Sequence, residues 1–274
     1  MSAQVHPAAL VHPAAIVHPK AELADGVTVG PFTVIGEHVR IGRNTRIDSH
    51  VVIEGWTEVG EDCQIHSFVS LGAPPQHLKY NGEATRVLIG HHNILREYVT
   101  VNRATAFGGG VTSLGDHNVL MAYVHIAHDC LVGNHIIMAN AATLAGHITI
   151  GDHAIVGGLV GIHQFVRIGA YSMIGGCSAV GMDVPPFMRA AGGYRARLFG
   201  VNTIGLKRQG FADDRIRRLK RVYLALFRSE ERLAEAAKKV RNEFGEHQEV
   251  LDLLAFLDGT KRGICKGSDE REDE

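Results

Sequence analysis

The sequence predicts an all-β solenoid, a parallel β-helix of about nine coils, followed by a small α-helical C-terminal domain. Three observations carry that expectation. An aliphatic residue recurs at every sixth position through most of the first 180 residues. The residue two places before it is small or β-branched, and the residue after it is often glycine.

The six-residue step starts at Val5 and runs without a miss through Val11, Val17, Leu23, Val29, Ile35, Ile41, Ile47, Ile53, Val59, Ile65 and Leu71. It resumes at Ile89, Leu95 and Val101, and again from Leu114 to Val180. The preceding inward slot holds Ala21, Val27, Thr33, Val39, Thr45, Val51, Thr57, Cys63 and Val69. Alternation at i−2 and i is the strand period, so each hexad reads as a short strand with two residues facing inward. Three strands and three corners close a triangular coil of 18 residues, and parallel strands stack successive coils about 4.8 Å apart. Glycine after the aliphatic residue is expected to supply unusual corner angles.

Two stretches interrupt the repeat. Residues 73–86 interrupt it but preserve its phase, because Leu71 to Ile89 spans 18 residues, one full coil. Residues 102–112 shift the phase by one. Insertions of this kind project as loops, commonly on a binding face. The solenoid is assigned to 1–190. Beyond Pro185-Pro186, residues 191–265 form the second domain. Within it, Ile216, Leu219, Val222, Tyr223, Leu226, Leu233, Val250, Leu253, Leu254 and Leu257 have helical spacing over 213–257. The polar run 266–274 is expected to be disordered.

Composition narrows the function classes. Lys plus Arg is 28 against 29 for Asp plus Glu, so no global charge demands nucleic acid or an anionic membrane. No apolar run is long enough to span a bilayer, and no signal peptide is evident, so a cytoplasmic location is expected. Cys63, Cys130, Cys177 and Cys265 lack the spacing of a disulfide framework or zinc knuckle.

Histidine, at 17 residues, is in excess of what folding needs. The coil period sorts it. Ile126, Leu144 and Ile162 are 18 apart and share one column, which places His128, His147 and His163 near one corner of three consecutive coils. His125 points outward on the strand leading there. His6, His12 and His18 sit one per corner and are read as decoration. Asp129 can orient the His128 ring, and Gly146 can offer a backbone N–H to the same point as an oxyanion donor. Taken alone, the cluster also allows a zinc site of the γ-carbonic anhydrase type.

The run His125-Ile126-Ala127-His128-Asp129-Cys130, with Thr143 to His147 and His163-Gln164-Phe165, resembles the UDP-N-acetylglucosamine 3-O-acyltransferase family of hexapeptide-repeat proteins. Pro75-Gln76, Leu78-Lys79-Tyr80, Gly108-Gly109-Gly110, Asp183 to Pro186 and Gly205 to Arg208 extend the resemblance to about residue 262. It implies a left-handed helix and a homotrimer with active sites between neighbouring solenoids. No cofactor or metal is implied. A 3-hydroxyacyl chain would pass from acyl carrier protein to the glucosamine 3-hydroxyl of UDP-N-acetylglucosamine, the first step of lipid A biosynthesis.

By the same resemblance, His128 is the general base, Asp129 its partner and Gly146 the oxyanion donor. Gln76, Lys79, His125 and His147 hold the sugar and diphosphate, with His77 beside them and His163 and Gln164 lining the cleft. Asn202 and Arg208 contact the nucleotide, and Gly176 stands where acyl length is set. Arg215, Arg217, Arg218, Lys220 and Arg221 are a candidate docking patch for the acidic carrier protein. Departures from the family pattern are His77 in place of an aspartate, Ala104, Ile204, Gln209 and one extra residue around Tyr194. Because His77 lies near the sugar, a 3-amino sugar nucleotide acceptor, giving an amide, stands as an alternative.

Overall fold

In the computed structural model, which describes residues 4–6, 8–193 and 195–268, the chain winds into a triangular parallel β-helix. Three sheets run its length. Sheet A has nine strands from Gln4–Val5 to Arg167–Ile168, and sheet C has nine from Ile16–Val17 to Ala179–Val180. Sheet B has eleven, nine of them from Leu10–Val11 to Met173–Ile174 and two more added after the coils end. Successive strands visit A, B and C in turn, which gives the nine coils the hexads predict.

The periodic residues build the core. Ile35, Ile47, Ile53, Ile65, Leu71, Leu120, Ile126 and Leu144 are fully buried, and so are the i−2 residues Val27, Thr33, Val39, Thr45, Val51 and Cys63. Burying aliphatic side chains of this size contributes roughly 1.5–3 kcal/mol each. Buried threonines are satisfied within the stack: Thr33 Oγ1 donates to Asp48 O, and Thr45 Oγ1 to Gly60 O.

Glycine's part at the corners differs from expectation. The left-handed backbone belongs to the third residue after the aliphatic one, and it is rarely glycine there: Phe32, His50, Phe68, Tyr98, Asp129, His147 and Tyr171 all have φ between 58° and 65°. The glycine directly after the aliphatic residue is needed for close approach instead. A Cβ on Gly42 would lie 2.5 Å from the carbonyl carbon of Gly60 in the next coil.

The cost of left-handed angles at non-glycine residues is offset by stacking along each corner. On the B-to-C corner the rings of Phe32, His50, Phe68, Tyr98 and Tyr123 are spaced 4.8–5.1 Å apart. On the A-to-B corner His92, His117, His135, His153 and Tyr171 are spaced 4.7–4.9 Å apart. Much of the histidine excess is therefore structural. His6, His12 and His18 are structural too, with Nδ1 accepting the amide N–H two residues on.

The two interruptions leave between sheet C and sheet A. Val59 pairs with Ile89, 30 residues on, so the first insertion adds twelve residues, two whole hexads, to this coil and keeps the phase. Ile89 pairs with Leu114, a seven-residue excess. Both loops therefore emerge at the C-to-A corner.

After the last coil, Met188–Ala191 extends sheet B and Arg197–Val201 pairs back on it antiparallel, an element the hexad period does not predict. Helices α1 (Thr203–Arg208), α2 (Asp213–Phe227), α3 (Leu233–Phe244) and α4 (Gln248–Asp258) follow. The apolar residues picked out by helical spacing are buried, including Ile216, Leu219, Val222, Leu226, Val250, Leu253 and Leu254. The expected disordered tail is corrected at its start. Lys266 O accepts from Leu198 N, and Ser268 N donates to Leu198 O, because the outer edge of Arg197–Val201 offers unpaired backbone groups. Residues 269–274 and Tyr194 lie outside the described residues. No helix among the described residues is long and apolar enough to cross a membrane.

Candidate active site

His128 and Asp129 occupy the second and third positions after Ile126, on the C-to-A corner where both loops emerge. Both are buried, at 7% and 5% exposure. The left-handed angles of Asp129 turn its carboxylate back toward its neighbour, and Oδ2 lies 2.8 Å from Nδ1 of His128. Thr105, from the second loop, donates to the same carboxylate through its backbone N at 3.0 Å and its Oγ1 at 2.7 Å. Thr112 Oγ1 accepts from Asp129 N. A carboxylate held this way cannot rotate away from the ring.

The second loop presses directly on this pair. A Cβ on Gly108 would lie 2.2 Å from Asp129 Cγ, so only glycine permits the contact. Gly146, one coil along from His128, is equally constrained: a Cβ there would lie 2.5 Å from Cε1 and 2.9 Å from Nε2 of His128.

Among the described residues, the amides at this position of the C-to-A corner, those of His128, Gly146 and Gln164, are left open to the cleft side, unlike those of the A-to-B corner. At the equivalent position of the A-to-B corner, the N–H groups of Glu61, His91, Asp116 and Asn134 are each capped by a side chain of the next coil. Gly146 N–H has no hydrogen-bond partner among the described residues.

Three further histidines surround His128. The His147 ring stands edge-on to it at 5.1 Å, with Nε2 3.8 Å from Asp129 Oδ2, and stacks on Phe165 at 4.5 Å. Burial pushes the His147 imidazole below its ordinary range, against the opposing pull of Asp129. His125 bonds Thr100 Oγ1 at 2.7 Å, and burial followed by the His128 charge holds it low as well. His77, carried in by the first loop, packs edge-on to His128 at 5.3 Å and against Phe107 of the second loop at 4.8 Å.

The other sequence-predicted residues fall in two places. His163 and Gln164 are exposed one coil beyond His147, and Gln76 and Lys79 are exposed on the first loop beside His77. Gly176 is on the B-to-C corner, away from His128 in the same chain, and an added Cβ there would meet only the Gly158 backbone, its O at 3.3 Å and its N at 3.9 Å. Asn202 and Arg208 border a cavity of 510 Å³ on the outer face of sheet B. Asn202 is largely committed to structure, since its Nδ2 donates to Tyr171 O and its Oδ1 caps α1 by accepting from Gly205 N. The basic patch is smaller than the sequence suggests. Arg215 and Arg218 pair with buried Glu249, and Arg221 pairs with Glu243.

Sequence reasoning missed Thr105 and Thr112. Thr112 sits in an i−2 slot indistinguishable from other inward threonines, and Thr105 lies in a loop without periodicity. Among the described residues, His128, Asp129 and His147 offer ligand atoms within 4.8 Å of one another, the one group geometrically able to hold a metal ion. Asp129 is already occupied by Thr105 and His128, which favours an orienting carboxylate over a free ligand.

The chain is similar to proteins of one activity along most of its length. Residues 183–265 match the family described as UDP-N-acetylglucosamine O-acyltransferase, domain 2, and residues 38–73 match the bacterial transferase hexapeptide family. The acyl-[acyl-carrier-protein]–UDP-N-acetylglucosamine O-acyltransferase of Thermodesulfovibrio yellowstonii is 55% identical over 218 residues, 80% of this chain and 84% of that protein. The chain belongs to the UDP-N-acetylglucosamine O-acyltransferase family. It is an acyltransferase. Solved structures of the family agree over nearly the whole length. The Francisella novicida UDP-N-acetylglucosamine acyltransferase superposes with a TM-score of 0.92 at 37% identity, covering 95% of each chain. The Campylobacter jejuni enzyme gives 0.89 at 39% identity, covering 94% of this chain and all of that one.

Proposed function

We propose that this enzyme moves a 3-hydroxyacyl chain from acyl carrier protein to the glucosamine 3-hydroxyl of UDP-N-acetylglucosamine, opening lipid A biosynthesis, with His128 as general base. The observation that carries the reading is the His128–Asp129 pair beside Gly146. Asp129 accepts a hydrogen bond from Nδ1–H, which leaves the Nε2 lone pair to take a proton from the sugar hydroxyl. The hydroxyl oxygen then attacks the thioester carbonyl carbon. Negative charge developing on the carbonyl oxygen meets the uncapped Gly146 N–H. The C–S bond breaks, and the departing thiolate takes back the proton from His128. The ester and the free carrier thiol are the products, and no covalent enzyme intermediate is required.

His125, His147, His77, Gln76 and Lys79 hold the sugar and its diphosphate in this reading, while His163, Gln164 and Gly176 serve the cleft and the acyl chain. Asn202 and Arg208 serve the nucleotide. In a triangular coil the C-to-A corner is opposite sheet B, so one chain cannot bring Arg208 to its own His128. A homotrimer, in which a neighbour's sheet-B face meets this corner, resolves the separation. The division at about residue 190, with the solenoid before it and the helical part to 265 after it, belongs to the same reading, as does a cytoplasmic site of action.

The contact between His77 and His128 favours attention to a second acceptor, the 3-amino analogue of the sugar nucleotide. Purified enzyme given 3-hydroxyacyl carrier proteins and each acceptor in turn is the test. Ester formation on UDP-N-acetylglucosamine is the expected result. Amide formation alone would transfer the assignment to the amino sugar, and one zinc per chain in metal analysis would revive the γ-carbonic anhydrase reading.

A further inference from the structure

The 510 Å³ cavity on sheet B contains more positive charge than the resemblance assigns to it. Its floor is an outward-facing column in register across three strands, Ile155, Met173 and Arg189. Opposite Arg189 in the antiparallel hairpin stands Gly200, which has no side chain to cover it. Val201, Asn202, Thr203, Ile204 and Gly205 form one wall, and Arg208 with Lys220 of α2 closes another.

Three cations thus converge on one cavity, and no Asp or Glu lines it. The neighbouring bases Lys207, Arg215, Arg218 and Arg221 all have carboxylate partners. Among the described residues Arg189, Arg208 and Lys220 have none. Arg189 is partly buried against Met173 and the hairpin, so its charge is not simply solvated at a surface. Unpaired cations gathered on apolar walls make an anion site of ordinary ligand size. The planar, always charged fork of arginine suits bidentate binding of phosphate oxygens. The apolar floor of Ile155 and Met173, continued by Ile204, suits the flat face of a pyrimidine nucleoside.

We infer that Arg189 is a third phosphate-binding cation for the nucleoside diphosphate end of the sugar nucleotide, acting beside Arg208 and Lys220. The inference rests on the proposed UDP-sugar substrate and adds a residue to its site. Arg189 touches no reacting group, so it contributes affinity and position and leaves the chemical step to His128.

Calorimetric titration of UDP and of uridine, with steady-state kinetics, tests this on the full-length protein. Arg189→Gln is expected to weaken UDP binding by ~10- to 100-fold, the usual loss for a charge-assisted hydrogen bond. It should leave uridine affinity within about twofold, because uridine lacks the charge that arginine reads. KM for the sugar nucleotide should rise by the same factor as UDP affinity falls, with kcat retained. Arg189→Lys, which keeps the charge, should recover most of the affinity and controls for folding. If Arg208→Gln loses UDP binding while Arg189→Gln keeps it, the inference fails and the UDP-sugar reading stands. If the unaltered protein binds no UDP, both fail. Weakened binding of holo acyl carrier protein with UDP affinity unchanged would also overturn it.

Discussion

Oδ2 of Asp129 accepts from both Nδ1 of His128, at 2.8 Å, and Oγ1 of Thr105, at 2.7 Å. Two neighbours on one strand corner are thereby locked by a loop that the solenoid extrudes. The solenoid sets the spacing of the pair, and the loop sets its orientation.

Replacing Asp129 with asparagine removes the acceptor that fixes the His128 tautomer. An amide N–H facing Nδ1 would favour the opposite tautomer and leave a proton on Nε2, where the base must be free. We expect kcat to fall by roughly 10²- to 10⁴-fold with a much smaller change in KM. Steady-state kinetics on folded protein decide it. A variant with wild-type kcat would show that the carboxylate orients nothing.

Gly146→Ala tests the neighbouring coil. The added methyl would fall 2.5 Å from His128 Cε1, so the ring must move before the chain can close. Activity should drop at least about tenfold from misplaced catalytic geometry, whereas far-ultraviolet circular dichroism should be unchanged. Full activity would mean that His128 has freedom the packing denies.

Stability should depend on pH through half-buried imidazoles. His125, His147 and His153 are all held below their ordinary value, chiefly by desolvation. Above about pH 6.5 these rings are neutral in both folded and unfolded chains. As pH falls below that value the unfolded chain takes up protons first, so folding loses stability until the folded rings also titrate. Thermal unfolding between pH 8 and pH 5 should show a falling midpoint that begins near pH 6.5. A flat midpoint across that range would contradict the assignment.

The core predicts a conventional penalty. Leu144 is fully buried beneath the active corner, and Leu144→Ala should cost about 2–5 kcal/mol. Chemical denaturation would read it, and a loss under about 1 kcal/mol would mean the coil collapses around the cavity.

Much of this architecture can be read directly from residue spacing, because the solenoid repeats one local rule. Ile126, Leu144 and Ile162 are equivalent by count alone, so His128 and His147 can be placed on one corner before any coordinates exist. What spacing cannot reach is set by contacts between non-repeating pieces. His77 against His128 and Thr105 on Asp129 depend on how two loops fold over a corner, and no period governs them. The arginines of α2 look like a free patch in sequence because Glu249 and Glu243, their partners, lie on later helices. Histidine was a mixed signal for a physical reason: the same ring that serves as a base also stacks well at coil spacing, as His92, His117, His135 and His153 do.

In the proposed reaction His128 removes the proton from the acceptor hydroxyl. The most direct measurement is single-turnover transfer from a 3-hydroxyacyl carrier protein to UDP-N-acetylglucosamine by His128→Ala, with substrate binding checked by calorimetry. A loss of at least about 10²-fold in the transfer rate, with binding retained, is expected. Transfer at near wild-type rate by that variant would contradict it.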